Sequence, residues 1–288
     1  MADLLPDSSP EQNYLNRNSR GILCGEVWLF SNPCYALYEH LLKREIVSGG
    51  PVKHVAVIQD GNRRFARKKG FSTLFGHSKG AETTENVLDW CLELGIKHIT
   101  VYAFSVENFS RSDEEKQYLF DLMKRKLLEM AESERIHKNR VKIRAIGRID
   151  LLPLYLREAI SVAEKATHGY DNIYFNVAMA YGGQCDLVDA ARELAKAVKA
   201  GSMRAEDVDE EVIGKCLYPH NDDSVPEVDL IIRTGGELRT SNFLPWQANG
   251  NECAAYFCAP YWPEFRKVDF LRAIRTAKAR RSEVNQQA

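Results

Sequence analysis

The sequence lacks the cysteine and histidine patterns of metal-binding and disulfide-stabilised proteins. Its seven cysteines are scattered through 288 residues, with no CxxC pair and no His/Cys cluster. This arrangement argues against a zinc site and against a disulfide framework. Because free cysteines persist in a reducing compartment, we expect a cytoplasmic protein.

Long apolar runs and a secretory signal are also missing. No stretch approaches the roughly 20 apolar residues that span a bilayer. The N-terminal sequence MADLLPDSSPEQN is acidic and polar, whereas a signal peptide needs a basic start and an apolar core. The only membrane contact compatible with this sequence is peripheral contact at the surface.

Net charge and nucleotide-binding motifs are absent as well. The formal net charge is −1, so the chain as a whole does not attract polyanions and its basic residues must act locally. Neither a GxxxxGKS/T loop nor a GxGxxG turn after a strand occurs. The basic runs at 63–69 and 278–281 lack a ladder of aromatic residues, so we expect no nucleic-acid partner.

What the sequence does contain is an alternation of apolar strands and amphipathic helices. Continuous apolar segments indicate strands buried on both faces, and helical periodicity fills the intervals between them. The pattern predicts a single α/β domain with a mainly parallel central sheet flanked by helices. The predicted strands are 52–58, 97–104, 141–147, 174–182 and 228–234.

The residues before this domain have a different sequence pattern. Residues 1–20 are polar without periodicity, so we expect them to be disordered. Residues 21–50 form a predicted helical leader, in which Pro33 suits the first turn of a helix. The leader is expected to pack on the domain, which spans 51–288, or to act as an apolar arm at a membrane surface.

Four polar segments follow predicted strands at their carboxyl ends. Ligands of parallel α/β sheets bind beyond these ends, so the four segments are expected on one rim. They are residues 60–66, 104–111, 181–186 and 233–243.

The turn DGNRR at 60–64 has the features of a phosphate site. A helix N-terminus offers free N–H groups and the positive end of a dipole, and Gly61 lets the backbone approach closely. Asp60 supplies an oxygen of the kind that Mg²⁺ takes beside phosphates. The alternative is that Asp60 only caps the helix.

A second anion site is indicated by Arg233, Arg239 and Ser241. Two planar guanidinium groups and a hydroxyl can hold one diphosphate. Surface salt bridging is the alternative, but Arg233 directly follows an apolar strand, where a charge needs a partner. Two anion sites and one carboxylate, without a catalytic triad, indicate chemistry on phosphate esters.

Several long motifs resemble those of the cis-prenyltransferases, the undecaprenyl diphosphate synthase family. HVAVIQDGNRRFARKKG with GHSKG is similar to the first signature, and YAFSVENFSR to the second. DLIIRTGGELRTSNFLPWQ resembles the diphosphate-arginine signature, and YWPEF the closing motif. The likeness covers residues 50–280 in the family's order, and segments 30–46 and 249–265 are most like archaeal members.

The resemblance implies an activity and an assembly. It implies a Mg²⁺-dependent transferase that condenses isopentenyl diphosphate with an allylic prenyl diphosphate, giving a polycis-prenyl diphosphate as the precursor of a long-chain lipid carrier. It also implies a homodimer with an apolar tunnel for the growing chain.

The resemblance further implies roles for single residues. Asp60 would bind Mg²⁺ and assist departure of the allylic diphosphate, with Asn108 and Ser105 near the reacting centre. Counting from Trp246 selects Glu252 as a second metal ligand, whereas counting back from Tyr256 and Phe257 places that position at Ala254. Gly61, Asn62, Arg63, Arg64 and His77 would surround the allylic diphosphate, and Arg233, Arg239 and Ser241 would hold isopentenyl diphosphate. Phe65 and Phe109 stand where the family often has tryptophan, and Glu107 and Arg111 complete the substrate-binding set.

The sequence departs from the family pattern at a few positions. Thr73 replaces a frequent arginine, and Val106 replaces a serine or threonine. Ala180 and Gln184 depart from an Asn-Tyr-Gly-Gly-Arg pattern. These changes keep open a branched coupling or prenyl transfer to another acceptor. A non-catalytic partner subunit is a third hypothesis, although such subunits lose the acid and arginines that are present here.

Overall fold

Six parallel strands form an open sheet in the computed structural model, which describes residues 10–12, 14, 33–47, 52–219, 225–248 and 253–287. The strands are β1 (His54–Ile58), β2 (His98–Ser105), β3 (Val141–Ile146), β4 (Ile173–Tyr181), β5 (Leu230–Arg233) and β6 (Ala254–Phe257). Their spatial order is β3-β4-β2-β1-β5-β6.

Helices fill the connections between the strands. They are α1 (Pro33–Val47), α2 (Asn62–Lys69), α3 (Thr73–Leu94), α4 (Asp113–Glu132), α5 (Glu134–Lys138), α6 (Leu154–Thr167), α7 (Gly183–Lys199), α8 (Glu210–Cys216) and α9 (Lys267–Gln287). The predicted α/β class with a parallel sheet and flanking helices is confirmed.

The central strand β1 shows why the sheet could be predicted from the sequence. All of its residues are buried, and Val55 pairs with Ile99 of β2 on one side and Leu230 of β5 on the other. A strand covered on both faces carries a continuous apolar run. The edge strand β6 was not predicted, because only Ala254 of its four residues is buried and the apolar signal is therefore weak.

A buried chain of hydrogen bonds crosses the sheet. Nε2 of His54 lies 2.8 Å from Oγ1 of Thr100, which accepts a bond of 3.0 Å from Nδ2 of Asn176. Oδ1 of Asn176 accepts from Nε of Arg144 at 2.8 Å. Because Thr100 accepts from Asn176, its hydroxyl proton is free for Nε2 of His54. The chain thus joins β1, β2, β4 and β3 through polar groups that satisfy one another.

The leader helix α1 packs on α9, as one of the two expectations for it states. Leu42 and Ile46 are buried, and Nε of Arg272 donates to the Tyr38 hydroxyl at 3.2 Å. Leu37 and Leu41 face outward, with half or more of their surface exposed. No helix in the described part of the chain combines the length and apolarity that a membrane crossing needs.

Residues 10–12 and 14 differ from the disorder expected for 1–20. They are helical, and the Tyr14 ring lies 5.3 Å from that of Phe71. Oε1 of Glu11 accepts from the backbone N–H of Ser72 at 2.8 Å. An aromatic contact of this kind offsets the entropy of ordering a polar segment. The division of the chain into 1–20, 21–50 and 51–288 stays a prediction.

We predict that His54 makes the fold sensitive to acid. Burial is the main cause that lowers the pKa of His54 from 6.5 to about 4. The unfolded chain therefore takes up a proton near pH 6.5, whereas the folded chain does not until about pH 4. The free energy of unfolding falls as pH drops through this window, by up to about 1.4 kcal/mol per pH unit for one such group.

Denaturant unfolding at pH 7 and pH 4.5 checks this. His54→Gln is expected to lose less stability between the two pH values than the wild type does. His40→Gln, at an exposed position of α1, serves as the control with a wild-type pH dependence. An equal loss in His54→Gln and the wild type would contradict the prediction.

Candidate active site

A cavity of about 430 Å³ opens at the carboxyl ends of the strands and extends between the sheet, α3 and α4. Its rim is polar and carries arginines, whereas its inner wall is formed by apolar residues such as Leu88, Leu122 and Phe175. Parallel sheets of this kind bind ligands at the carboxyl edge, so the rim is the candidate active site.

Asp60 lies at the centre of this rim, directly after β1. Its Oδ1 accepts from Nη2 of Arg64 at 2.9 Å, and its Oδ2 from Nη2 of Arg233 at 2.7 Å. Burial alone would raise the pKa of the Asp60 carboxyl, but the hydrogen bonds from Arg233 and Arg64 outweigh burial and lower it. The carboxylate is therefore ionised at neutral pH. No side chain caps α2, which contradicts the alternative that Asp60 is its cap.

Arg233 is buried and donates hydrogen bonds to three different residues. Only 5% of its side chain is exposed, and Nη1 donates to the Arg239 carbonyl at 2.7 Å and to the Ser241 hydroxyl. Its Nε is buried and has no hydrogen-bond partner among the described residues. Arg239, by contrast, has 67% of its side chain exposed and pairs with Glu237 at 3.1 Å. One buried and one exposed arginine thus lie at the same mouth of the cavity.

Arg64 connects two segments of the rim. In addition to its bond to Asp60, its Nη1 donates to the Gly235 carbonyl at 2.9 Å, and its guanidinium lies over the Tyr261 ring. Gly61 has φ 109°, and a Cβ there would meet the Tyr261 ring at 2.7 Å. Arg64 therefore fixes the geometry of the turn. Position 61 requires glycine, because any side chain there would overlap the Tyr261 ring.

A second cationic cluster surrounds Glu115 on α4. Oε1 of Glu115 lies 2.9 Å from Nε2 of His77 and accepts from Arg111 at 2.8 Å. Arg63 reaches Oε2 at 4.0 Å. Burial is the largest influence on the pKa of Glu115 and raises it, but His77 and Arg111 together lower it, so this carboxyl is ionised. For His77, burial has the opposite effect and lowers the pKa of the imidazole, despite its contact with Glu115.

Ser105 and Asn108 hold each other at the end of β2. The Asn108 side chain accepts from the Ser105 N–H at 3.1 Å, and the Ser105 hydroxyl accepts from the Asn108 N–H. This reciprocal capping box fixes both side chains at the cavity mouth.

The GHSKG motif at residues 76–80 packs α3 closely against the turn at residues 60–64. A Cβ on Gly80 would lie 2.4 Å from Oδ1 of Asn62, so α3 approaches α2 closely only because glycine is present. The fully buried Trp262 donates from Nε1 to the Gly80 carbonyl at 2.7 Å and from its N–H to the Asp60 carbonyl at 3.0 Å. Trp262 therefore ties α3 to the turn.

The structure brings most of the sequence-predicted site residues to the cavity. Those that line it are Asp60, Asn62, Arg63, His77, Ser105, Asn108, Arg111, Arg233, Arg239 and Ser241. Gly61 and Arg64 lie beside it, in the turn. Three other predicted residues, Phe65, Glu107 and Phe109, do not line it.

These three exceptions have simple physical reasons. Phe65 is 1% exposed and packs against Phe71, and Phe109 packs against Phe104 and Phe120. Both rings therefore pack against neighbouring aromatic side chains and do not reach the cavity. Glu107 is exposed, on the outer side of the turn after β2.

The positions that depart from the family pattern do not line the cavity, although Val106 directly follows Ser105, which does. Thr73 is the first residue of α3, and Val106 begins the 3₁₀ turn after β2. Cγ2 of Val106 would lie 2.9 Å from a Cβ at Gly182. Ala180 has φ 48°, a left-handed conformation.

A metal site is not formed by protein ligands alone in the described ranges. No three His, Cys, Asp or Glu side chains converge there in a way that could hold an ion. Glu252, the predicted second ligand, lies outside the described residues. A cation at Asp60 would therefore depend on phosphate oxygens as further ligands, which is the arrangement that Mg²⁺ usually has.

Comparison with known proteins gives consistent matches. Residues 58–285 match a family described as "Putative undecaprenyl diphosphate synthase". A tritrans,polycis-undecaprenyl-diphosphate synthase (geranylgeranyl-diphosphate specific) of Methanosarcina mazei is 51% identical over 249 residues, which cover 86% of this chain and 84% of the relative. A protein of the same name from Halobacterium salinarum is 55% identical over 245 residues, covering 85% and 80%.

A solved structure is also similar. Lavandulyl diphosphate synthase from Lavandula x intermedia, in complex with dimethylallyl diphosphate, superposes with a TM-score of 0.71 at 33% identity. The match covers 78% of this chain and 94% of the other.

We predict that Gly80→Ala disturbs the turn. The added methyl would overlap Asn62 and Trp262, and overpacking of this kind costs about 1–3 kcal/mol. Gly169→Ala, where a Cβ would meet no atom within 4 Å, is the matched control. Thermal unfolding should show a lower melting temperature for Gly80→Ala alone. Equal melting of the two variants would contradict the close α2–α3 contact.

Proposed function

The chain belongs to the undecaprenyl diphosphate synthase family, and from this we propose that its cavity is the place where isopentenyl diphosphate is condensed with an allylic prenyl diphosphate. The product is a polycis-prenyl diphosphate. The observation that carries this proposal is a pair of cationic clusters at the mouth of one cavity whose inner wall is apolar. Two diphosphates and one hydrocarbon chain match that distribution of charge.

The two clusters take different substrates. Arg63, His77 and Arg111 receive the allylic diphosphate, and Arg233, Arg239 and Ser241 receive isopentenyl diphosphate. Guanidinium groups bind phosphate oxygens through two parallel hydrogen bonds, which fixes the orientation of each substrate as well as its position. Holding the two substrates in register lowers the entropic barrier to their reaction.

The reaction breaks the bond between the allylic carbon and its diphosphate oxygen. Negative charge grows on the leaving group, where the arginines and the N-terminus of α2 stabilise it. The double bond of isopentenyl diphosphate supplies the electron pair for the new carbon–carbon bond. A proton then leaves the isopentenyl unit, and the electron pair of the broken C–H bond forms the new double bond. The apolar wall keeps water away from the cationic carbon.

Mg²⁺ fits the site as a cofactor. Asp60 is ionised and partly buried at the phosphate-type turn, and one carboxylate with substrate phosphates is a usual Mg²⁺ environment. Asp60 and, as the predicted second ligand, Glu252 would hold it. When bound, the ion supplies positive charge to the departing diphosphate.

The names of the relatives support a choice of allylic substrate. Since the similar archaeal proteins are named as geranylgeranyl-diphosphate specific, we take geranylgeranyl diphosphate as the allylic substrate. A homodimer in the cytoplasm, in peripheral contact with a membrane that receives the lipid product, completes the proposal.

A second candidate function keeps the fold and changes the coupling. One similar solved structure is that of a lavandulyl diphosphate synthase, and Thr73 and Val106 depart from the family pattern. A branched coupling, or transfer to another acceptor, would use the same arginines. A non-catalytic subunit is disfavoured by the presence of Asp60, Arg233 and Arg239.

An assay with purified protein, Mg²⁺, isopentenyl diphosphate and a panel of allylic diphosphates distinguishes these functions. Mass spectrometry and NMR are expected to show several added units with new cis double bonds, and the highest rate with geranylgeranyl diphosphate. A single addition with a branched or heteroatom linkage would favour the second candidate. No incorporation under any condition would contradict both.

We predict that Asp60→Asn lowers turnover by about 10²–10³-fold, the range for the loss of one electrostatic group of an active site. Asparagine keeps the volume of the side chain but removes the negative charge that a cation needs. Turnover is measured at saturating concentrations of both substrates. Asp207→Asn, which also removes a carboxylate that accepts from an arginine, Arg204, but at a position that does not line the cavity, is the control and should retain wild-type turnover. Wild-type turnover in Asp60→Asn would rule out its role.

We predict that Arg239→Lys raises the Michaelis constant for isopentenyl diphosphate selectively. Lysine keeps the charge but loses the bidentate geometry, at a cost of about 1.5–3 kcal/mol. The matched control is Arg192→Lys, where an arginine of similar exposure pairs with Asp189 away from the cavity. If only the constant for the allylic substrate rose, the division of the two clusters would be wrong.

A further inference from the structure

One neutral polar side chain lies where the charged rim of the cavity meets its apolar wall. Gln59 lines the cavity directly beside Asp60, and adjacent Cα atoms are only about 3.8 Å apart. Its side chain bonds to Thr84 of α3. Thr84 lies about two turns beyond His77 of the rim and about one turn before Leu88 of the apolar wall. The Gln59 amide is therefore at the depth where a diphosphate at the rim would give way to its hydrocarbon chain.

The hydrogen bonds of Thr84 determine which end of the Gln59 amide faces the cavity. The Thr84 hydroxyl donates to the Gly80 carbonyl at 3.0 Å, so its oxygen can only accept from Gln59. Nε2 of Gln59 donates this bond at 2.6 Å. The Gly80 carbonyl also accepts from the indole of the fully buried Trp262, which anchors the chain of bonds in the core. Oε1 is thus the end of the amide that remains for the cavity.

This Oε1 is an accessible acceptor without a donor. It accepts no hydrogen bond from any described residue, and it is not sealed from solvent as the unpartnered Oδ1 of Asn62 is. Oδ1 of Asn108 at the cavity mouth, by comparison, accepts from the Ser105 N–H. Gln59 therefore presents the negative end of a carbonyl dipole, held in one direction, to the cavity.

The substrates of the proposed reaction leave this oxygen one role. Their ionised diphosphates repel a carbonyl oxygen, and their hydrocarbon parts carry no N–H or O–H group that could donate to it. Among the reacting atoms, positive charge develops only on carbon, and first on the allylic carbon beside the departing diphosphate. A fixed dipole with its negative end toward that carbon stabilises the charge without having to reorganise during the reaction.

We propose that Gln59 is a further catalytic residue, whose side-chain carbonyl oxygen stabilises the cation that forms when the allylic carbon parts from its diphosphate. Thr84 is the positioning residue that orients the amide. The inference rests on the proposed function. The bond that breaks leaves its electron pair on the diphosphate oxygen, and Gln59 exchanges neither a proton nor an electron with the substrate.

The same oxygen weakens the binding of the allylic substrate in its ground state. The hydrocarbon chain covers Oε1 of Gln59 and displaces its water without supplying a donor, which costs free energy. The favourable contact forms only as the carbon becomes positive. An interaction that is made in the transition state and not in the ground state raises the rate of the chemical step.

Gln59→Met tests the proposal, because methionine has a similar length and shape but no carbonyl dipole. The rate of the first condensation is measured in a single turnover by rapid quench, so that product release does not mask it. We expect this rate to fall by about 10²-fold, the lower end of the range for one preorganised dipole. Calorimetry with geranylgeranyl diphosphate alone should show binding about tenfold tighter than in the wild type, since no unpaired oxygen is covered.

Variants of Thr84 give a second test in which Gln59 is kept. Thr84→Val has nearly the same shape but cannot accept from the amide, so Gln59 loses its fixed direction and the first condensation should slow, by less than in Gln59→Met. Thr84→Ser keeps the hydroxyl and should restore the wild-type rate. Should Gln59→Met fail to fold, this pair decides.

Gln117→Met is the matched control for the same exchange elsewhere. Gln117 is an exposed residue of α4 that bonds to Asp121 and Tyr155 and does not line the cavity. Its variant should equal the wild type in the single-turnover rate and in the affinity for geranylgeranyl diphosphate.

The outcomes distinguish the inference from the function on which it rests. A wild-type single-turnover rate in Gln59→Met would overturn the inference and leave the proposed function intact. A slower rate with weaker binding would also overturn it, because that combination indicates a disturbed cavity. Equal rates in Thr84→Val and Thr84→Ser would contradict the positioning of the amide. A wild-type protein that condenses no isopentenyl diphosphate would contradict the proposed function itself, and the inference with it.

Discussion

The site depends on the double ion pair of Asp60 with Arg64 and Arg233. Arg233 ends a buried strand, where its charge needs a partner, and the neighbouring strand β1 delivers that partner at the same edge of the sheet. The attraction is strong because Arg233 is almost fully buried. Both carboxylate oxygens of Asp60 accept hydrogen bonds from these arginines. The proposed function implies that an incoming diphosphate competes with Asp60 for these guanidinium groups, and that the displaced carboxylate then becomes available to a cation.

The second cluster is built on the same principle. Glu115 contacts His77 and Arg111, as Asp60 contacts its two arginines. A carboxylate in each cluster keeps the arginine side chains together and oriented, which would avoid the cost of assembling like charges at the moment of substrate binding. Trp262 and Gly80 then hold α3, and with it His77, at a fixed distance from the turn.

Much of this arrangement could be predicted from the sequence, because its signals are local. Buried strands carry continuous apolar runs, and the polar segments at their ends follow directly in the chain. Glu115 was missed because it lies on a helix beyond the motif and reaches the rim only through the fold. The role of Arg64 depends on the Gly235 carbonyl, 171 residues away. Phe65 was assigned to the cavity because its place in a motif does not reveal which way the side chain points, and in the fold it is buried.

The competition between Asp60 and a diphosphate is tested most directly by binding. The affinity for inorganic diphosphate is measured by calorimetry for the wild type and Asp60→Asn, with and without Mg²⁺. Without Mg²⁺ the variant should bind diphosphate more tightly than the wild type, because asparagine does not compete for Arg64 and Arg233 with a full charge. With Mg²⁺ the order should reverse. If Asp60→Asn binds diphosphate more weakly than the wild type without Mg²⁺, Asp60 does not hold the arginines against the substrate, and the account is wrong.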